Sequence, residues 1–236
     1  MVAWLRAIVQ CAAATLLAGA AAAEGFSGGV GLTSDKLYRG FSQNRGGGSL
    51  LLDLSYQRGG WAWSGGAATL HDNGRGTRSE VTLSAARTWQ IESDWSTQLS
   101  ATAYTYPGST YLRYGNYAEF GAQLAWRDTL QLSVLAAPRA RATGRNRQLL
   151  RGRTLAYEAA LHLPMAGRWS FDAGLGWFDT RRIEGVAYTY GSVGLSWGVG
   201  PVTLFVSRVA STLDSRAGAP KAFAGDRTAL SAWLSF

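Results

Sequence analysis

The sequence predicts an all-β fold, namely a transmembrane, antiparallel, up-and-down β-barrel of about 12 strands that follows a cleaved signal peptide. Three observations lead to this fold class. Apolar and polar residues alternate through successive segments of the chain, which is the pattern of a strand with two different faces. The connections between these segments are alternately long and short. The composition combines 30 Gly and 10 Trp with only 16% charged residues, below the roughly 25% of a typical soluble domain.

The amino-terminal residues predict a secretory signal peptide. Arg6 is followed by an apolar run over 7–20, and three alanines at 21–23 precede a polar start. One positive charge, a short apolar core and small residues, in this order, are typical of a signal peptide. The alternative is a membrane anchor, but the run is short for a bilayer, which needs about 20 residues. We therefore divide the chain into a signal peptide, 1–23, and a single barrel domain, 24–236.

The alternation predicts twelve strands. They cover 25–34, 48–57, 60–70, 78–89, 94–106, 117–127, 129–138, 153–163, 168–178, 187–198, 201–211 and 227–236. Helix is the local alternative, but a helix needs apolar residues at i, i+3, i+4 and i+7, and these segments lack that spacing. A soluble β-sandwich is a closer rival, because it also consists of many short alternating strands.

The connections distinguish a membrane barrel from a sandwich. The long ones are 35–47, 71–77, 107–116, 139–152, 179–186 and 212–226, and the short ones are 58–60, 91–93, 127–128, 164–167 and 198–201. Outer-membrane barrels have long extracellular loops and short periplasmic turns, with an even number of strands. Twelve strands then place both termini of the domain at the periplasmic, short-turn end.

Aromatic residues predict two belts at the two membrane interfaces. Trp61, Trp89, Trp95, Trp126, Trp169 and Trp197 lie near short turns, whereas Tyr104, Tyr106, Tyr117, Tyr188 and Tyr190 lie beside long loops. Membrane interfaces select such aromatic belts, and a sandwich gives no reason for the segregation. Trp233 is an exception, because its parity points it into the barrel.

Three stretches resemble a known family. They are VGLTSDKLYRGFSQ at 30–43, YTYPG at 104–108 and YAEFGA at 117–122. They are similar to Gcw_chp, a family of conserved hypothetical bacterial envelope proteins. The resemblance implies a secreted, barrel-type envelope protein and carries no established activity. The chain departs from the family pattern at Lys36, where the pattern has an aromatic residue.

The first long connection is the most informative local segment. We expect Asp35 and Arg39 to pair and to fold this connection over the lumen, either as a constriction at the pore mouth or as a structural closure. The predicted pore and loop residues are Asp35, Lys36, Arg39, Glu80, Glu119, Glu158 and Asp172. Barrels of eight strands have an interior filled by side chains, and barrels of sixteen strands enclose a channel. Twelve strands are an intermediate number, so the strand count predicts neither an open nor a closed lumen.

A basic run surrounds the connection at 139–152. It consists of Arg139, Arg141, Arg145, Arg147, Arg151 and Arg153. Nucleic acid is a common partner of such runs, but on an external loop we expect surface phosphate, such as that of lipopolysaccharide, and no nucleic acid. The alternatives are an anion-attracting vestibule and a solvated loop.

The sequence matches the motifs of enzyme active sites only weakly. Residues 194–198 fit G-x-S-x-G around Ser196, but a nucleophile elbow needs a strand, a turn and a helix, and these residues continue a strand. The only histidines, His71 and His162, are far apart in this topology. The single cysteine, Cys11, falls within the predicted signal peptide. We therefore expect no catalytic, metal or cofactor site.

Two function classes remain, with a third behind them. The first is a narrow channel for small polar solutes, the second is a non-conducting structural or surface-interaction barrel, and the third is a barrel-type hydrolase. The expected location is the outer membrane of a Gram-negative bacterium. The expected partners are the lipid bilayer, lipopolysaccharide and the barrel-insertion machinery, for which Phe236 is the predicted assembly signal.

Overall fold

Each long strand of this protein pairs antiparallel with its neighbours, and the first pairs with the last to close a barrel. The computed structural model describes residues 24–72, 76–107, 116–143, 149–212 and 225–236. The barrel strands are β1 (Gly25–Thr33), β4 (Ser49–Arg58), β5 (Trp61–Asp72), β6 (Gly76–Gln90), β7 (Trp95–Thr105), β8 (Tyr117–Trp126), β9 (Leu130–Thr143), β10 (Leu149–Pro164), β11 (Trp169–Asp179), β12 (Ala187–Val199), β13 (Val202–Ser211) and β14 (Arg227–Ser235). A two-stranded hairpin, β2 (Leu37–Tyr38) and β3 (Phe41–Ser42), forms a separate sheet, and a short helix, α1 (Arg181–Glu184), joins β11 to β12.

The seam between β1 and β14 is paired from Gly29 with Ser235 to Thr33 with Ser231. Just beyond it, Gly28 and Phe236 exchange two main-chain hydrogen bonds of 2.9 and 3.0 Å. Closure removes the unpaired sheet edges that a bilayer does not tolerate. The predicted twelve-stranded antiparallel barrel is confirmed, and its two ends lie together at the short-turn end.

One predicted connection is wrong in extent. The sequence predicts a loop over 139–152, but β9 continues to Thr143 and β10 begins at Leu149, so that most of this segment is a protruding hairpin. A register shift between Gly152 and Thr154 marks the point where this extension begins. Strands that extend beyond the bilayer stay paired through main-chain hydrogen bonds and need no apolar side chains. The strands therefore continue past the point where apolar and polar residues stop alternating.

The outward face is an apolar surface of the kind that lipid covers. Leu83, Leu175 and Leu230 are 65%, 62% and 59% exposed, which is too large an apolar area for a surface in water. The predicted tryptophan belt at the short-turn end is confirmed, and Trp169 and Trp197 of neighbouring strands stack with ring centroids 6.1 Å apart.

The predicted tyrosine belt at the other end is wrong. Tyr104, Tyr106, Tyr188 and Tyr190 are buried, and Tyr117 stacks on Tyr104 with ring centroids 4.6 Å apart. Strand parity is the reason, because these residues share a strand face with inward residues such as Ser192 and Ser196 rather than with the outward leucines. The tyrosines therefore line the lumen.

Outward aromatic residues near the long-loop end come from other positions. Tyr157 of β10 and Trp177 of β11 are paired across the strands, with ring centroids 5.9 Å apart. The part of the chain that the structure describes has no helix long and apolar enough to cross a membrane. The predicted signal peptide, 1–23, lies outside the described residues and stays a prediction.

Candidate functional site: the inserted loop and the chamber beneath it

Residues 34–48, which we call the inserted loop, cross the lumen at the long-loop end. At the tip, β2 and β3 pair Leu37 with Ser42 and Tyr38 with Phe41. The two residues between them, Arg39 and Gly40, have φ values of 45° and 82°. Positive φ at both central positions of a two-residue turn is the type I′ geometry, which matches the twist of a hairpin.

Glycine is the only residue type that fits at position 40. A Cβ atom there would lie 2.5 Å from Cβ of Tyr190 and 2.8 Å from Cβ of Ser211, both on the barrel wall. The turn is therefore pressed against β12 and β13. Together with its positive φ, this contact excludes any side chain.

Arg39 anchors the tip of the loop to the far wall. Its Nη1 and Nη2 donate to the two carboxylate oxygens of Glu119 on β8, at 2.8 and 3.0 Å. Its Nε donates to Oε1 of Glu158 on β10, at 3.0 Å. A bidentate pair with a second carboxylate satisfies the guanidinium in a place where it is only 1% exposed, and burial of this kind is stable only when it is paired.

Aromatic rings surround this guanidinium. Its Cζ lies 4.6 Å from the ring centroid of Phe178 and 4.9 Å from that of Tyr38, whose hydroxyl also accepts a hydrogen bond from Nη1 at 2.6 Å. Tyr190 donates its hydroxyl to Oε1 of Glu158. The buried tyrosines that parity places in the lumen therefore serve as the packing and hydrogen-bonding shell of Arg39.

A second ion pair holds the opposite flank of the loop. Nζ of Lys36 lies 2.8 Å from Oε1 of Glu80 on β6 and also donates to Gln43. Gln43 in turn donates to the other oxygen of Glu80 at 3.3 Å. The two basic side chains at 36 and 39 therefore tie the loop to β6, β8 and β10, three strands of the same half of the ring.

The predicted pairing of Asp35 with Arg39 is wrong. Asp35 instead accepts a hydrogen bond of 2.5 Å from the hydroxyl of Ser42, within the loop. Burial raises the pKa of the Asp35 carboxyl, and the hydrogen bond from Ser42 opposes that rise. The residue therefore shapes the base of the loop, while the wall supplies the carboxylates that Arg39 needs.

A chamber of about 260 Å³ lies beneath the loop. Lys36, Leu37 and Tyr38 form its roof. The inward side chains around it include Asp53, Glu80, Thr82, Gln131, Ser133, Glu158, Asp172, Ser192, Ser207, Ser231 and Trp233. A cavity of this size has room for several water molecules. The predicted pore residues Glu80, Glu158 and Asp172 therefore do share one space.

Trp233 stands at one side of the chamber, with its indole lying over two glycines of β1. A Cβ atom at Gly29 would lie 2.4 Å from Nε1 of Trp233, and one at Gly31 would lie 2.2 Å from its Cε3. The inward orientation predicted from parity is confirmed. The glycines leave the space that the ring occupies.

A polar contact across three strands was missed by the sequence analysis. Nδ1 of His162 lies 2.7 Å from Oδ1 of Asp172, and Ser196 donates to the other carboxylate oxygen at 3.3 Å. In a catalytic triad the histidine lies between the serine and the carboxylate. Here the carboxylate of Asp172 lies between the other two side chains, so Ser196 donates to Asp172 and not to the histidine. The three residues therefore form a structural contact between neighbouring strands of the barrel wall.

The basic run divides into three parts. Arg139, Arg151 and Arg153 are exposed on the protruding hairpin, and Arg141 lies on β9 with its main chain opposite Arg151. Arg145 and Arg147 lie outside the described residues. Helix α1 adds the exposed Arg181 and Arg182 beside the same hairpin, since a Cβ atom at Gly152 would lie 2.8 Å from the carbonyl oxygen of Arg182.

In the described part of the chain, no group of three or more His, Cys, Asp or Glu side chains is arranged so that it could hold a metal ion. Two lumen contacts at the short-turn end are hydrogen bonds between neutral groups. Gln131 donates to Gln123 at 2.8 Å and Gln98 donates to Thr88 at 2.9 Å.

Comparison with known proteins gives matches at the level of structure. No family model matches the chain, and no curated protein does. A NanC porin matches with a TM-score of 0.59 and 11% identity, over 89% of this chain and 98% of that chain. A KdgM porin matches with a TM-score of 0.56 and 11% identity, over 89% of this chain and 99% of that chain. A KdgM porin in complex with disordered oligogalacturonate gives a TM-score of 0.54 at 9% identity. These likenesses show the fold alone: it is the barrel of outer-membrane porins.

Proposed function

We propose that this chain is an outer-membrane channel of narrow bore for small polar solutes, and that the inserted loop forms its constriction. The observation that supports the proposal is the chamber of about 260 Å³ directly beneath a loop that is held by ion pairs. In barrels of about eight strands, side chains fill the interior. This twelve-stranded barrel keeps an open chamber and places a loop with charged side chains at its entrance, and such a constriction would restrict which solutes pass.

Planar-bilayer recording of the purified, refolded protein tests this proposal. We expect small, discrete single-channel steps in KCl. Heat-modifiable migration on a denaturing gel provides the folding control, since a closed barrel resists unfolding in detergent. Folded protein that gives no steps at either polarity would contradict the channel and favour the second function.

The second candidate is a barrel that interacts with lipopolysaccharide at its surface. The observation that favours it is the exposed arginine cluster on the protruding hairpin, Arg139, Arg151 and Arg153, directly above the lipid-facing Tyr157. Counting upward from Leu163, the roughly ten residues that cross a bilayer end at about residue 154. The arginines therefore lie at the level of phosphorylated headgroups, where charge-assisted bonds to phosphate form.

Binding of lipopolysaccharide in detergent tests this second candidate. We expect the triple change Arg139→Ala, Arg151→Ala and Arg153→Ala to weaken binding severalfold and to reduce its dependence on salt. Arg127→Ala is the matched control, because Arg127 is also exposed but lies in a turn at the opposite end. Equal binding by the triple variant and by the control would refute a role for the cluster.

A further inference from the structure

We infer that the chamber beneath the inserted loop binds neutral, ring-shaped polyols, the class of solute to which a single sugar ring belongs, and that Trp233 and Phe205 are its specificity-determining residues. This inference rests on the proposed channel function and names the class of solute that the channel takes up. It is carried by an aromatic wall on one side of the chamber, by an amide wall on the other side, and by one buried oxygen without a hydrogen-bond partner.

The aromatic wall consists of Trp233 of β14 and Phe205 of β13. Both side chains line the chamber, and Phe205 pairs with Ser231, which lies two residues before Trp233. The indole lies flat on β1, because a Cβ atom at Gly29 would be 2.4, 2.5 and 2.7 Å from three of its ring atoms. With one face against the wall, the indole presents its other face to the chamber.

The opposite wall offers hydrogen bonds. Gln131 and Ser133 of β9 line the chamber, and Gln131 donates to Gln123 of β8 at 2.8 Å. In the ring of strands, β8 lies opposite β14, and β9 lies beside β8. The two walls stand at a similar height, because Trp233 and Gln131 are both within two residues of the short-turn end of their strands. Amides and hydroxyls both donate and accept hydrogen bonds, which suits a solute that is rich in hydroxyl groups.

Glu158 adds an acceptor at the top of the chamber. Its Oε1 accepts hydrogen bonds from Arg39 and from Tyr190. Its Oε2 is buried and has no hydrogen-bond partner, on a side chain that is only 7% exposed and lines the chamber. A buried acceptor without a donor costs free energy. A hydroxyl group of a bound solute would satisfy this oxygen without adding a charge.

The charges around the chamber favour neither sign of solute. Lys36 is bound to Glu80, and Arg39 is bound to Glu119. Among the described residues of the loop and the lumen, the basic side chains Lys36, Arg39, Arg45, Arg78 and Arg227 nearly balance the carboxylates of Asp35, Asp53, Glu80, Glu119, Glu158 and Asp172. Shape and hydrogen bonding, rather than net charge, therefore decide which solutes bind.

An aromatic face on one side and hydrogen-bonding groups on the other fit a solute that itself has two different sides. A sugar ring is such a solute, with C–H groups on its flat face and hydroxyl groups around its rim. An open-chain polyol has the hydroxyl groups but no flat face. The chamber of about 260 Å³ is slightly smaller than the roughly 300–1,000 Å³ of sites for drug-sized ligands, so it suits one ring rather than a chain of rings.

Block of the ionic current by added solute tests the inference. Methyl glucoside is a locked ring, and sorbitol is an open-chain polyol of similar size. We expect methyl glucoside to reduce the single-channel current in KCl saturably, and at lower concentration than sorbitol does. Trp233→Leu should raise the half-blocking concentration of methyl glucoside about fivefold, because it removes the flat face. Trp233→Phe should keep most of the block, because it keeps a ring.

A lipid-facing tryptophan provides the matched control. Trp197→Leu makes the same change at the same short-turn end, but Trp197 is exposed on the outward face, so the block should be that of wild type. Phe205→Leu is the second variant if Trp233→Leu does not refold, and it should produce part of the same increase. The weaker block by sorbitol should change little in any of these variants.

The outcomes separate the two proposals. Steps that both solutes reduce equally, or a methyl glucoside block unchanged in Trp233→Leu and in Phe205→Leu, would overturn the ring-binding site and leave the channel in place. An absence of steps in folded wild-type protein would overturn both.

Discussion

Replacing Arg39 by methionine should release the inserted loop from the lumen. The change removes three hydrogen bonds to two carboxylates, at 2.8, 3.0 and 3.0 Å, and leaves Glu119 and Glu158 buried without a cation. Methionine has a similar length and keeps most of the apolar contact with Phe178. The loss is therefore electrostatic rather than steric.

The magnitude follows from the burial of the site. Removing one partner of a buried ion pair costs about 3–5 kcal/mol, because the remaining charge is uncompensated. Each 1.4 kcal/mol is roughly a factor of ten in an equilibrium constant at room temperature. The equilibrium between docked and released loop should therefore shift by about a hundredfold to a few thousandfold toward release. The barrel wall itself should stay folded, since its main-chain ladder does not involve Arg39.

Cysteine labelling measures this shift. The only natural cysteine, Cys11, lies in the predicted signal peptide, so Ser42→Cys introduces a unique thiol in the barrel domain. Ser42 is fully buried in the docked loop, and we expect slow maleimide labelling with Arg39 present and fast labelling in the Arg39→Met background. Single-channel conductance should rise in parallel, because the constriction has left the lumen.

A rescue variant makes the result specific. Adding Glu119→Gln and Glu158→Gln to Arg39→Met removes the stranded charges, and labelling should slow again. Arg182→Met, in the exposed helix α1, controls for the substitution itself. Labelling of Arg39→Met at the wild-type rate, with unchanged conductance, would refute the conclusion that this ion network holds the loop.

Two further predictions concern the seam and the last residue. Gly31→Ala should lower the folded fraction of the protein, because the added Cβ would lie 2.2 Å from the indole of Trp233. Gly65→Ala should fold normally, because the nearest neighbour of its added Cβ is a flexible leucine methyl at 3.6 Å. Heat-modifiable migration measures the folded fraction of both variants, and equal folding would contradict the packing argument. Phe236→Asp should reduce insertion into the outer membrane of cells, whereas Phe236→Tyr should not, and normal surface insertion of the aspartate variant would count against an assembly role.

The barrel could be predicted from the sequence because its rule is local. Alternation along a strand decides which residues face lipid, and it correctly places Leu230 outward and Trp233 inward. The predicted tyrosine belt is wrong because it does not follow this rule. Tyr188 and Tyr190 lie beside a long loop, but their parity points them into the lumen, where they are buried.

The partners of Arg39 could not be predicted in the same way. Glu119 and Glu158 are 80 and 119 residues away along the chain, and no local pattern links them to the first loop. Asp35 is the carboxylate nearest to Arg39 in sequence, but nearness along the chain does not decide the pairing here. The distance between these residues is set by the curvature of the closed sheet, which depends on all twelve strands together.

That separation has a consequence for the order in which the protein matures. The inserted loop follows β1 directly, so it emerges early, but the carboxylates that hold it belong to β8 and β10. Contacts between distant parts of a chain form late, because the intervening loop must first be closed. A barrel that is still missing β8 or β10 has nowhere to dock the guanidinium of Arg39. Every assembly intermediate before that stage therefore lacks the Arg39 anchor, and the constriction of the lumen is complete only when the wall is complete.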